Sequence, residues 1–272
     1  LLSFMLIYLA GLLKRIATEK KKRELIEAEL TIASKIQRSF LPQTLPKTRG
    51  LDIAAFMRPA KHVGGDLYSI FAVDSTHTGV MLGDVSGKGM PAALFMAKTV
   101  SEFKFNSRQL SDPARVLTNL NESLSADDSG GLFVTVSYAI FDPSQRRVIM
   151  SNGGHMPLLR IRANGEVDEL SPEGGMPVSL MPGVEFENLD LPVEKGDIFI
   201  FYSDGISEAR NVKKIDYELE RLTKIAKSKR LCSAGEIQAS ILKDIEHFVG
   251  HASQHDDMTI LVVKISALED NK

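Results

Sequence analysis

Between residues 51 and 265 the chain is cut into eight short apolar runs, each bounded by Gly, Pro, Asp or Asn. They are LDIAAFM, DLYSIFAVD, GVMLGDVS, FVTVSYAIFD, RVIMSNG, LLRIRA, DIFIFYSDG and MTILVVKI. Runs this short, rich in β-branched and aromatic residues, read as strands. Asn164-Gly165, between LLRIRA and EVDEL, is a hairpin turn signal. Helical stretches come in pairs: 90–107 with about 112–126, then 216–228 with 233–249. Strands in groups and helices in pairs predict antiparallel sheets with helices packed outside them, an α+β class without regular βαβ alternation.

The region before residue 51 has a different texture. Residues 1–13, LLSFMLIYLAGLL, are almost wholly apolar and run directly into Lys14 and Arg15. Thirteen residues fall short of the roughly 20 that span a bilayer, and a signal peptide would carry its charges before the apolar stretch. The expectation is the C-terminal half of a transmembrane helix with Lys14 and Arg15 on the cytoplasmic side. The alternative is an amphipathic or buried soluble helix. Residues 14–41 lack Gly and Pro, and Ile26, Leu30, Ala33, Gln37 and Phe40 follow heptad spacing. A helical linker over 14–45 is expected, forming either a dimeric coiled coil or a helix packed on its own domain. Pro42 and Pro46 stop it. The folded domain is placed at 46–266 and a tail at 267–272.

The chemistry resides in aspartates at strand ends. Asp66 follows Gly64-Gly65, Asp84 sits in Gly83-Asp84-Val85-Ser86-Gly87, Asp204 in Ser203-Asp204-Gly205, and Asp256 in His255-Asp256-Asp257-Met258-Thr259. Any one Asp-Gly pair is ordinary turn chemistry. Four beside strand ends would repel one another unless cations neutralised them. An oxygen-only ligand set suits Mg²⁺ or Mn²⁺, and two such ions can bind phosphate and acidify a bridging water.

Other chemistries fail on residues. The net charge of −2 gives no basis for bulk nucleic-acid binding. A single cysteine, Cys232, excludes a disulfide framework or Cys-rich metal site. A Cys-phosphatase would need Arg six residues after it, where Gln238 stands. In GDVSGKGM only three residues separate Gly83 from Gly87, and Gly89 stands where a nucleotide-binding loop needs Ser or Thr. Leu67, directly after Asp66, departs from a GG[DE]EF cyclase, and no GxSxG string marks a serine hydrolase.

The strings VGGDLYSI (63–70), GDVSGKGMPAAL (83–94), SNGGHMPLL (151–159), KGDIFIFYSDGISEAR (195–210) and HDDMTILVVK (255–264) resemble the metal-dependent protein phosphatases (PPM, protein phosphatase 2C-like). Together with IASKIQRSFLPQTLP (32–46), they resemble more narrowly the bacterial branch of RsbU and the stage II sporulation phosphatase. The resemblance implies an αββα sandwich of two antiparallel β-sheets flanked by paired helices, holding two Mn²⁺ or Mg²⁺ ions. It implies Asp66 and Asp84 as ligands around both ions, with the Val85 carbonyl contributing and Asp204 and Asp256 completing the site. Asp257 stands where many relatives outside the branch have Asn and is carried as a further metal candidate. Gly64, Gly65, Gly83 and Gly205 are the backbone-permissive neighbours.

Arg58, Lys61 and His62 are candidate phosphate contacts. His155 either approaches the phosphate as a proton donor or pins a turn. Ser86 stands where eukaryotic relatives carry His after the metal Asp and Gly, leaving the source of the leaving-group proton open. The resemblance implies a serine/threonine phosphatase acting on a phosphorylated STAS-type anti-anti-sigma protein. The apolar 1–13 stretch before Lys14 and Arg15 puts the expected domain at the cytoplasmic face of the membrane, and the heptad seam of the linker helix predicts a homodimer. Two rivals are a catalytically silent, membrane-linked signalling module and a metal-dependent phosphatase of nucleotides or small molecules.

Overall fold

The computed structural model describes residues 2–109, 111–126, 130–172 and 175–268, so Leu1 and the tail beyond 268 lie outside the described residues. Among the described residues ten strands form two five-stranded sheets. The first runs β1 (Leu51–Arg58), β10 (Met258–Ile265), β9 (Ile198–Tyr202), β6 (Leu158–Ile161), β7 (Val167–Leu170). The second runs β2 (Leu67–Ala72), β3 (Thr78–Val85), β4 (Val134–Asp142), β5 (Arg147–Gly153), β8 (Leu189–Pro192). Neighbouring strands within each sheet are antiparallel.

The period-2 alternation of each strand sorts its side chains into layers. Val80 and Leu82 of β3 meet Leu261 and Val263 of β10 in a core between the sheets, where Phe141 packs edge-to-face on Phe199 with centroids 5.2 Å apart. Met81 points the other way, under α2 (Met90–Gln109) and α3 (Pro113–Ser125). Ile260 and Val262 lie under α5 (Leu219–Ser228) and α6 (Ala234–Val249). The result is the four-layer sandwich the sequence predicts.

Local chemistry sets the helix ends. Asp112 caps α3 by accepting from the Arg115 amide, with Pro113 at the first helical position. Ser233 and Glu236 form a reciprocal capping box on α6. The hairpin at Asn164-Gly165 joins β6 to β7, with Gly165 at φ +91°.

The N-terminal segments expected at 1–13 and 14–45 form one helix, α1 (Leu2–Phe40), with no break at Lys14. No helix among the described residues is long and apolar enough to cross a membrane. Leu25, Ile26, Ile32 and Ile36 are exposed, whereas Gln37 is buried and Phe40 joins the core beneath α2.

Candidate metal centre

One edge of the sandwich gathers the predicted aspartates. Asp66 immediately precedes β2 and Asp84 is the penultimate residue of β3. Asp204 opens α4 (Asp204–Ser207), a single turn just after β9, and Asp256 and Asp257 immediately precede β10. Asp84, Asp204, Asp256 and Asp257 line one cleft of about 250 Å³ with Gly64, Gly65, Val85 and Lys88. Asp66 lies behind it, 1% exposed, its Oδ2 accepting from Ser203 Oγ at 2.8 Å and Thr259 Oγ1 at 2.5 Å.

Two close approaches fix the local backbone. A Cβ on Gly65 would lie 2.8 Å from the Val85 carbonyl oxygen and 3.0 Å from Asp84 Oδ1, so only glycine leaves that oxygen-lined space open. A Cβ on Gly205 would lie 2.0 Å from the Asp257 carbonyl oxygen, so glycine allows the two strand-end segments to touch.

The electrostatics are those of crowded carboxylates with a single lysine, Lys88, paired to one of them. Burial, reinforced by the Asp84 charge, holds the Asp66 carboxyl well above the usual range. Burial and then the charges of Asp204, Asp256 and Asp257 push Asp84 up to about 7. Asp204 is raised by burial and by Asp256. Divalent cations answer this situation, because each would favour the ionised form that the neighbours oppose. Hard oxygen donors and the glycine-cleared space between Val85 O and Asp84 fit Mg²⁺ or Mn²⁺. Among the described residues no three acidic, His or Cys side chains are already drawn together closely enough to enclose an ion. A resident cation, Lys88, instead occupies part of the cleft. Its Nζ donates to Asp256 Oδ2 at 2.6 Å and to the His255 carbonyl at 3.0 Å.

The other predicted residues divide. Lys61 lines the carboxylate cleft. Arg58 does not; it donates to Gln254 Oε1 at 2.8 Å, faces Glu246 at 3.6 Å and borders a neighbouring pocket of about 380 Å³. His62 lies in a groove beside the cleft. Asp257 spends its carboxylate on the backbone, accepting from the Ala60 and Gly65 amides at 2.7 Å each. His155 is buried outside the cleft lining, its Nδ1 2.8 Å from Thr135 Oγ1 and its backbone exchanging hydrogen bonds with the Asn152 amide. Burial pushes its ring down to about 4. Tyr202 backbone lies near enough to favour a proton there, although no described atom meets hydrogen-bond geometry with Nε2.

Sequence reasoning missed Lys88, Ser203, Thr259 and Gln37. Gln37 Nε2 donates to the Gly64 carbonyl at 2.6 Å, and the Gly64 amide donates back to Oε1 at 3.2 Å. The available signals were a lysine in an aspartate-glycine string and hydroxyls directly beside Asp204 and two residues after Asp257.

Comparison with known proteins bears on the fold and the family. The chain is 28% identical over 245 residues to phosphoserine phosphatase RsbU of Bacillus subtilis (strain 168), covering 88% of this chain and 70% of that one. The SiaA-PP2C domain of Pseudomonas aeruginosa superposes with a TM-score of 0.79 at 20% identity, over 89% of this chain and 98% of that domain. The SpoIIE phosphatase domain with a fragment of its regulatory domain, from Bacillus subtilis, superposes with a TM-score of 0.69 at 20% identity, over 81% and 64%. Residues 74–266, from the β2–β3 turn through β10, match the family described as stage II sporulation protein E. With eight of the ten described strands, β3 to β10, and Asp84, Asp204, Asp256 and Asp257 inside that match, the chain belongs to the stage II sporulation protein E (SpoIIE) family.

Proposed function

We infer that this chain is a metal-dependent protein serine/threonine phosphatase whose substrate is a phosphorylated STAS-type anti-anti-sigma protein. The observation that supports it best is the convergence of Asp84, Asp204 and Asp256 on one cleft, with Asp66 buried behind them. Asp66, Asp84, Asp204, Asp256 and the Val85 carbonyl would hold two Mn²⁺ or Mg²⁺ ions. When bound, such ions neutralise phosphoryl charge and make water a nucleophile at neutral pH.

The chain's own residues do the positioning. Ser203 and Thr259 fix the rotamer of Asp66 by donating to one of its oxygens. Asp257 pins the Gly65 and Ala60 amides, so the turn leading to Asp66 cannot drift. Lys61 and Lys88 supply positive charge at the cleft for a phosphoryl dianion. Attack at phosphorus in line with the seryl oxygen then needs no covalent enzyme intermediate.

The same reading puts the chain at the cytoplasmic face of the membrane and pairs it through α1. Its supports are the exposed Phe4, Met5, Tyr8 and Leu9 ahead of Lys14 and Arg15, and the exposed Leu25, Ile26, Ile32 and Ile36.

The test is dephosphorylation of STAS-domain phosphoproteins from the same genome, with p-nitrophenyl phosphate as a generic substrate, under Mn²⁺ titration. Phosphate release from at least one phosphoprotein is expected, falling at least 10²-fold in Asp84→Ala and Asp204→Ala while thermal melting shows both still folded. Retention of more than about a tenth of the wild-type rate at saturating metal removes those two from the core of the site.

A further inference from the structure

Beside the carboxylate cleft lies a second concavity of about 750 Å³, between the last turns of α1 and the segment 60–63. The two share Ala60, Lys61, Val63 and Gly89. Its charged lining is entirely basic: Lys35 and Arg38 from α1, Lys61 and His62 from the facing segment, with Leu30 and Met90 as apolar contacts. All four basic side chains are exposed, and none has an acidic partner among the described residues.

That grouping departs from the rest of α1. Farther up the helix the basic residues have acidic neighbours, the Lys20–Arg23 run lying between Glu19 and Glu24 with Lys20 facing Glu24, whereas Lys35 and Arg38 are the only charged residues between 30 and 40. Their i, i+3 spacing puts them on one face. The Gln37–Gly64 hydrogen bonds, from the neighbouring buried face, hold this end of α1 against the loop running into Asp66. Unpaired like charges gathered in a concavity repel one another, a cost that an anionic occupant reverses. An extended peptide advances about 3.3 Å per residue, so residues flanking a phosphoserine at the carboxylates enter this groove directly.

We propose that the groove receives an acidic stretch flanking the phosphoserine of the protein substrate, with Lys35 and Arg38 as its specificity-determining contacts. This rests on the phosphatase reading for the word substrate but not for binding.

Two phosphopeptides of equal length, one with acidic and one with neutral flanks, serve as probes. Fluorescence anisotropy with the full chain in EDTA measures binding without turnover. Steady-state hydrolysis in Mn²⁺ then gives the ratio of kcat/KM for the two. In Lys35→Glu/Arg38→Glu the acidic peptide should bind at least about tenfold more weakly, and its kinetic preference should fall about tenfold through KM. High salt should erase the wild-type preference. Melting curves report folding, and Lys35→Gln/Arg38→Gln should give a smaller loss of the same kind.

Equal losses for both peptides, or none, overturn the proposal. So does a double variant that loses only binding to anionic vesicles, which would make the face a membrane contact. If the wild-type chain binds the acidic peptide but releases no phosphate, the phosphatase reading fails and the groove stands. If it hydrolyses both peptides equally well, the groove fails and the phosphatase reading stands.

Discussion

At the residue scale, Lys88 places a positive charge where the proposed metal ions would bind. Its ammonium, 2.6 Å from Asp256 Oδ2, neutralises a carboxylate that the proposed metal ions would use. Half-exposed pairs of this kind are worth about 0.2–1 kcal/mol, so the competition is modest. Lys88→Met should therefore tighten Mn²⁺ binding by about 1.4- to fivefold by calorimetric titration. Metal affinity that stays level or weakens would show that the ammonium does not compete. That Asp66, Asp84, Asp204 and Asp256 gather at one edge was legible in sequence because each adjoins a strand end within an unusual string. The role of Asp257 was not, since nothing in HDDMT distinguishes a carboxylate facing a cleft from one turned onto backbone amides. His155 posed the same difficulty: a histidine in SNGGH reads equally as chemistry or as a turn, and its burial beside Thr135 is a tertiary fact.

At the scale of elements, most strands announced themselves through dense β-branched runs, but β8 did not. Leu189–Pro192 alternates half-buried with exposed positions on a sheet edge and ends in proline, so it carries almost no periodic signal. The turn of α4 was hidden for a similar reason, because Ser-Asp-Gly reads as a bend. Helix α1 was read in two pieces, yet backbone hydrogen bonding passes from an apolar to a charged stretch without a break. What the periodicity of α1 could not reveal is that its attachment is concentrated in its last turns. There Gln37 clasps Gly64, Phe40 and Leu41 enter the core, and Lys104 Nζ donates to the Phe40 carbonyl at 2.7 Å. Gln37→Ala removes both partners of a buried backbone unit, at a cost of about 1–3 kcal/mol. Amide exchange at Gly64–Asp66 should accelerate markedly while the centre of β4 stays protected. Unchanged exchange at Gly64–Asp66 would mean that α1 does not stabilise the loop before Asp66.

At the scale of the whole molecule, the buried titratable groups pull stability in opposite directions with pH, and metal decides which prevails. Asp66, Asp84 and Asp204 all have folded-state pKa values raised above the unfolded value, Asp84 to about 7. Such groups favour the fold when protonated, so their contribution is present at low pH and lost as pH rises through about 7. His155 acts oppositely. Its folded value near 4 lies below the unfolded 6.5, so the unfolded chain binds the extra proton and stability is lost as pH falls through that window. The displacement corresponds to about 3 kcal/mol at most. Three raised carboxyls outweigh one depressed imidazole, so the metal-free protein should lose stability between pH 5 and 7.5. Saturating Mn²⁺ keeps the carboxylates ionised and binds more tightly as protons leave them, which removes their penalty and adds a gain in the same direction as His155. Urea midpoints should therefore fall from pH 5 to 7.5 in EDTA and rise over the same interval in Mn²⁺. A His155→Gln variant that remains folded should keep the inversion but show a shallower rise in Mn²⁺. Slopes of the same sign with and without metal would mean that the aspartates do not titrate as one repelling cluster, and the electrostatic case for cations at this edge of the sandwich would go with them.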